Sequence, residues 1–330
     1  MGERRSVICR SIGLLLIVLV LLYSGGAPAL AEPLRVGALK NGTFGWELAL
    51  IKARGLDRAA GLDLEVVDLA NTEAGKIAIE GGSVDIVLAD WLWVSRQRSL
   101  GGKLTFYPYS SEIGAVMAPT GKPIAALADL KGKSLGVAGG PLDKSWLLLQ
   151  AYAKRSGFDI AREAHIVFGA PALLTEKAAQ GELDAALLYW NFCIELELRG
   201  FHRSLDMSDV EKSLGVSAPL AMVGFVFNEN LAAKNAAALT QFFDTTRKAR
   251  DILTADKAEW RKIMASIGRD ETAATLYRKR YSEGAPRSSI DDEQADANIL
   301  FGALAEAGGE ELVGPSRALD PGTFFRPNGH

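Results

Sequence analysis

Residues 133–156 read KSLGVAGGPLDKSWLLLQAYAKRS: a short apolar run, a glycine-rich turn, then a long helical run. Lys133 to Ala138 has the length of a buried strand, and Asp143 to Ser156 that of a helix opening straight out of the turn. Moving outward, the same alternation recurs. On the N-terminal side, Leu34 to Leu39 (LRVGAL), Leu62 to Leu69, Val84 to Ala89 (VDIVLA) and Lys103 to Tyr109 read as strands. Helices fall between them: one from Thr43 or Gly45 to Gly55, one from Thr72 to Gly81-Gly82, and one from Trp91 to Leu100. On the C-terminal side Ile113 to Ala118, His165 to Phe168, Leu183 to Tyr189 and Met222 to Phe227 are strands, with a helix over Pro171 to Gly181. From Leu231 to about Ala307 the pattern is helical, and the Gly- and Pro-containing tail from Gly308 is expected to wrap the surface. Strands separated by helices predict an α/β protein with mixed, mostly parallel sheets. Two such units in sequence predict two lobes meeting at a cleft.

Composition narrows the functional classes. The chain has 330 residues, 48% hydrophobic and 23% charged, which excludes long disorder. Arg4, Arg5 and Arg10 precede the apolar run Ile12 to Tyr23, and small residues Ala29 and Ala31 follow. This is the layout of a signal peptide over residues 1–31, cleaved near Ala31, and predicts a soluble, exported product. An apolar core of about a dozen residues is short for a span of roughly 20. The leader holds three of the 37 basic and one of the 40 acidic residues, leaving 34 against 39. With no basic excess, nucleic acid is not an expected partner. Cys193 is the one cysteine after the leader, so no internal disulfide forms, and its apolar setting predicts a buried side chain.

Three stretches carry a family resemblance. Leu127-Ala128-Asp129-Leu130-Lys131-Gly132-Lys133 with Gly136-Val137-Ala138-Gly139-Gly140 is one, and Ala178-Ala179-Gln180-Gly181-Glu182-Leu183-Asp184-Ala185 is the second. Ile79-Glu80-Gly81-Gly82-Ser83-Val84-Asp85-Ile86 repeats the second in the first unit. Together they resemble the periplasmic solute-binding proteins of the nitrate/sulfonate/taurine type, related to the binding family for thiamin-pyrimidine precursors. The resemblance spans roughly residues 33 to 230. It implies a two-lobe type II periplasmic-binding-protein fold with a two-strand hinge, near Tyr107 to Val116 and Pro219 to Val226. Lobe 1 would hold residues 32–112 plus 222–330, and lobe 2 residues 113–221. It also implies a monomer that hands a small molecule to the membrane subunits of an ABC importer. Some proteins of this shape instead serve a periplasmic enzyme or sensor, an alternative that the sequence leaves open.

In open α/β sheets ligands bind beyond the carboxyl ends of the strands. That rule selects Lys40, Asn41, Thr43, Trp46, Asn71, Asp90, Trp91 and Ser110 in the first unit. In the second it selects Asp143, Lys144, Ser145, Trp146, Tyr189, Trp190 and Asn191. Five of the six tryptophans lie in or beside these segments, which predicts an aromatic wall stacking on a planar or cationic ligand. The turn before Asp143 reads either as an anion cradle or as a plain helix start, and Asp90 either as a ligand contact or as a helix cap. Sulfonate-type members often carry Gly-Asp-x-Pro and Trp-Asp-Pro, where this chain has Ala89-Asp90-Trp91-Leu92 and Trp190-Asn191-Phe192. The departure favours an aromatic, heterocyclic or amine-bearing ligand.

Catalysis finds no support in the motifs. His165, His202 and His330 have no metal-ligand spacing, and neither G-x-S-x-G nor G-x-G-x-x-G occurs. A relative of the fold makes a thiamin pyrimidine using its own histidine and iron, but no histidine-rich cleft segment is present here. The reading is a binding protein with no cofactor, no metal and no catalytic residue.

Overall fold

The computed structural model describes residues 33–39, 42–121, 124–217 and 219–327. The leader therefore lies outside the described residues. Ten strands follow in order: β1 (Leu34–Leu39), β2 (Leu64–Leu69), β3 (Val87–Asp90), β4 (Leu104–Ser110), β5 (Gly114–Pro119), β6 (Ser134–Ala138), β7 (His165–Gly169), β8 (Ala185–Tyr189), β9 (Phe201–Asp206) and β10 (Val223–Asn228). Parallel β1 and β2 connect to β3 through the Val36–Ile86 bridge, and β10 lies between β3 and β4. The first half thus runs β2-β1-β3-β10-β4. The second half repeats the arrangement as β7-β6-β8-β5-β9. In each half the fourth strand is antiparallel to both neighbours, β10 in the first and β5 in the second. Each of these two strands enters its sheet from the other half, over the crossovers 111–113 and 214–222, and so runs against its new neighbours.

The repeated Gly-x-x-Asp turns have a structural task. Gly82 and Gly181 adopt φ of 69° and 79°, where a side chain is strained. Three residues later the aspartate reaches across to the start of the neighbouring strand. Asp85 Oδ2 accepts the Arg35 amide at 2.8 Å, and Asp184 Oδ2 accepts the Ser134 amide and hydroxyl, each at 2.9 Å. Arg35 also clasps Asp85 through Nε at 3.0 Å and Nη2 at 2.6 Å. Each tie fixes the amino end of a central parallel strand, and so the register of the strand that ends at the cleft.

Two differences from the sequence expectation stand out. Phe201–Asp206 forms an edge strand and Met207–Ser213 a helix, neither of which the apolar pattern predicts. The long helical region divides into Glu229–Ala255, Lys257–Ser266, Glu271–Glu283 and Ile290–Gly308. Side chains cap the last three: Asp256 accepts the Ala258 amide, Asp270 the Ala273 amide and Ser289 the Asp292 amide. Among the described residues no helix is long and apolar enough to cross a membrane.

Removing either tie leaves a strand-end amide unpaired, a cost of about 1–3 kcal/mol. Asp85→Ala and Asp184→Ala should each lower Tm by several degrees in calorimetry, while Glu182→Ala, in the same turn but at the surface, should leave it nearly unchanged.

Candidate functional site

The carboxyl ends of β1, β2, β3 and β4 face those of β6 and β8 across a cleft. Thr43, Asn71, Asp90 and Ser110 line it from the first half, and Asp143, Lys144, Tyr189, Trp190 and Asn191 from the second. A second chamber shares Leu39, Asn71 and Tyr189 with it and extends to Gly139-Gly140 and Gly169-Ala170. Lys40 and Asn41 lie outside the described residues.

Four expected cleft residues face elsewhere. Trp91 is fully buried, its ring 6.4 Å from Phe324. It begins the helix Trp91–Ser99 on the face that also buries Val94 and Ser95, so helical period turns it into the sheet. Trp146 packs edge-on to Phe168 at 5.9 Å, and Ser145 beside it is equally buried, because every residue from Lys144 to Ala151 is buried in that helix. Trp46 meets Trp260 and Tyr277 edge-on at 6.2 and 5.5 Å and lines a separate groove. Of the six tryptophans, Trp190 alone lines the main cleft. The expected tryptophan wall is therefore corrected to one indole, joined in the lining by Phe44, Tyr109, Tyr189 and Phe192 and by aliphatic side chains such as Leu39, Leu69 and Val223.

Each of the two aspartates caps a helix and also lines the cleft. Asp90 Oδ1 accepts the Trp93 amide at 2.7 Å, and Asp143 Oδ1 accepts the Ser145 amide at 2.9 Å. The other oxygen of Asp143 accepts the Tyr189 hydroxyl at 2.8 Å. Burial, then the charge and hydrogen bond of Asp143, push the Tyr189 phenol well above its ordinary range, so it stays a neutral donor. Lys144 stands with Nζ 4.5 Å over the Tyr189 ring and 3.8 Å from Asp143 Oδ2. The helices Thr43–Arg54 and Trp190–Glu197 begin at the cleft with no side-chain cap, and the Trp190 amide donates instead to the Ile113 carbonyl at 3.1 Å.

Lys76 and Glu112 also line the cleft, and the sequence reading passed over both. Lys76 lies one turn beyond Thr72 in the helix Thr72–Glu80, so the period that places Thr72 at the cleft could have found it. Burial pulls its pKa down, but Asp90, Glu73 and Asp143 outweigh this and hold it above the ordinary value. Its Nζ is 3.0 Å from Glu73 Oε1 and 5.5 Å over the Trp93 ring. Glu112 sits on the first crossover, where burial pushes its carboxyl to about 7. Cys193 is buried, and burial pushes its thiol to about 12. Among the described residues no cluster of three or more His, Cys, Asp or Glu could hold a metal ion.

With this geometry in place, residues 49–259 match the family described as NMT1/THI5 like. No curated protein matches the chain. Among solved structures, the alkanesulfonate-binding protein SsuA from Xanthomonas axonopodis pv. citri, bound to MOPS, superposes with a TM-score of 0.70 at 19% identity, covering 88% of this chain and 97% of that one. The periplasmic aliphatic sulphonate binding protein SsuA from Escherichia coli gives 0.67 at 18%, covering 87% and 95%. The Candida albicans CA3427 gene product, described as having the generic periplasmic binding protein fold, gives 0.61 at 12%, covering 84% and 90%. At these identities the likeness is one of fold.

Gly139 is the glycine on which the cleft geometry depends. Its φ is 86°, and a Cβ there would stand 2.9 Å from the Tyr189 hydroxyl and 3.0 Å from Asp143 Oδ2. Gly139→Ala should cost about 1–3 kcal/mol and displace the Asp143–Tyr189 pair, whereas Gly140→Ala meets nothing within 4 Å and should be nearly neutral. Thermal unfolding of the two variants side by side reads the difference.

Proposed function

The chain belongs to the NMT1/THI5-like family, and from that premise we propose that it captures a small solute in its cleft and delivers it to an ABC importer. In this reading it is an exported, periplasmic monomer. Residues 32–112 and 222–330 make one lobe, residues 113–221 the other, and the crossovers are the hinge about which the lobes close. The observation that carries it is the convergence, from both halves, of Asp90, Lys76, Asp143 and Tyr189 on one cleft lined by both apolar and polar side chains.

The ligand class follows from that lining. Lys76 and Lys144 are matched by Asp90 and Asp143, and no arginine lines the cleft among the described residues, so it holds no cationic excess. The solved SsuA proteins are named for sulfonates. The charge balance here favours instead an aromatic, heterocyclic or amine-bearing molecule, its apolar body against Trp190 and its N–H groups toward Asp90 and Asp143.

A thermal-shift panel of sulfonates, nitrate, pyrimidines, aromatic acids and polyamines tests this directly. A ligand at a hundred times its Kd adds about 2.7 kcal/mol, a shift of several degrees. Hits confined to the pyrimidines, aromatic acids and polyamines are expected, and hits confined to sulfonates or nitrate would reverse the ligand assignment. Trp190→Ala should weaken the hit roughly tenfold or more in calorimetric titration. Trp91→Ala should instead lose roughly 3–5 kcal/mol of stability through the cavity it leaves. Silence across the panel, or affinity unmoved by Trp190→Ala, would remove the cleft as the binding site.

A further inference from the structure

A second pocket lies between the edge strand β4, the helix Glu229–Ala255 and the turn that leads into Ile290. Tyr109 is the one described residue that lines both it and the cleft. Its apolar wall is aromatic: Phe243 stacks on Tyr107 at 4.0 Å, and Phe225 stands 5.9 Å from Phe243. Helical period puts Phe243, Thr246 and Arg250 on one stripe of the helix, and all three line the pocket. A cation and an aromatic surface therefore meet in one cavity.

Arg250 has no carboxylate of its own. It donates through Nη1 to the Tyr109 carbonyl at 2.6 Å, and its Cζ stands 4.3 Å over the Tyr109 ring and 5.3 Å over the Tyr281 ring. Among the described residues no acid lies within ion-pair distance of it, and most of its guanidinium donors are unused. The other cation of the pocket is committed, because Arg247 pairs with Asp244 at 3.0 Å, and Asp251, next in the helix, is exposed to solvent. Glu47 is the buried acid of the pocket, fully enclosed. Its Oε2 accepts the Tyr109 and Tyr281 hydroxyls at 3.0 and 2.6 Å, while Oε1 has no partner. Buried polar atoms are nearly always paired, so an orphan oxygen in a pocket wall marks a place for a guest's polar group. Burial holds the Glu47 carboxyl above its ordinary value against Arg250 and the two phenols. The acid is thus held toward its neutral form, which leaves the Arg250 charge unanswered.

We propose that this pocket is a second small-molecule site, for a monocarboxylate with a compact apolar body. The carboxylate pairs with Arg250, whose planar fork matches it, and the body lies against Tyr107, Phe225 and Phe243. Glu47 donates to the same carboxylate from Oε1, the oxygen that the two tyrosines leave free. Charge and body are both needed, so neither a small anion without a ring nor an uncharged ring fills the site as well. The site does not rest on the solute-receptor reading, because it shares a single wall residue with the cleft.

Benzoate is the probe, with acetate, which lacks the ring, and benzyl alcohol, which lacks the charge, as controls in calorimetric titration. A ligand this small should saturate at about 1–10 mM, and each control should bind roughly tenfold more weakly. An aromatic acid could fill either cavity, so variants of both are compared. Arg250→Met keeps an unbranched stem over the rings, and Ser288→Trp fills the pocket from the turn. Each should weaken benzoate roughly tenfold or more, whereas Trp190→Ala in the cleft should leave it unchanged. In the wild type, benzoate should slow amide exchange at residues 285 and 287–290 and leave the cleft helix Thr72–Glu80 as it was. Benzoate that binds Arg250→Met as tightly as the wild type, that loses affinity with Trp190→Ala, or that protects the cleft helix instead overturns the proposal. So does the absence of binding in that range, in which case Glu47 Oε1 is met by an internal water only. If Arg250→Met does not fold, Ser288→Trp and the wild-type exchange pattern decide.

Discussion

The cleft depends on where the central strands β1 and β6 stop, and two aspartates set that from the far side of each sheet. Asp85 and Asp184 each hold an amide at the start of a strand, and Arg35 fastens one of them further. Parallel neighbours then run in fixed register to ends at Leu39, Leu69, Ala138 and Gly169. With those ends aligned, the next residues in the chain face one another across the gap, and helix starts follow directly. The functional segment and the tie that places it lie at opposite ends of the same strands. A turn that resembles a binding motif in sequence is thus a positioning device for one.

The fold was legible in the sequence wherever the apolar run was continuous. LRVGAL, VDIVLA and LDAALLY are buried on both faces and stand out as strands. Phe201–Asp206 did not stand out, because each of its residues is only half-buried and His202, Arg203 and Ser204 interrupt any alternation. It is an edge strand placed by pairing with β5, a tertiary cause that no local pattern announces. The breaks in the C-terminal helices were readable in principle, since Asp256, Asp270 and Ser289 stand at cap positions, but polar residues are so frequent there that caps do not contrast with their surroundings.

The candidate site was legible as a set of strand ends and illegible as a set of side chains. The strand-end rule selects segments, and within a segment the helix period decides which residue faces the gap. Asp90 and Trp91 are adjacent, yet one caps the helix at the cleft and the other turns under the sheet. Aromatic size misled here, because a large ring at a helix start fills the layer between helix and sheet. Lys76 shows the converse. It is remote from the strand end in sequence but one turn along the same helix face, and its charge is kept by Asp90, Glu73 and Asp143.

That charge arrangement bears on the proposed closure of the cleft. Lys76 and Asp90 belong to the half built on β1, Asp143 and Tyr189 to the half built on β6, so the attraction of Asp143 for Lys76 acts across the gap and strengthens as water leaves it. In the proposed reading, closure would be favoured by groups that already carry their charges, and a ligand need only complete the set. The attraction between the two walls rests on a handful of charged side chains at the strand ends and helix starts, not on the extensive apolar core on either side.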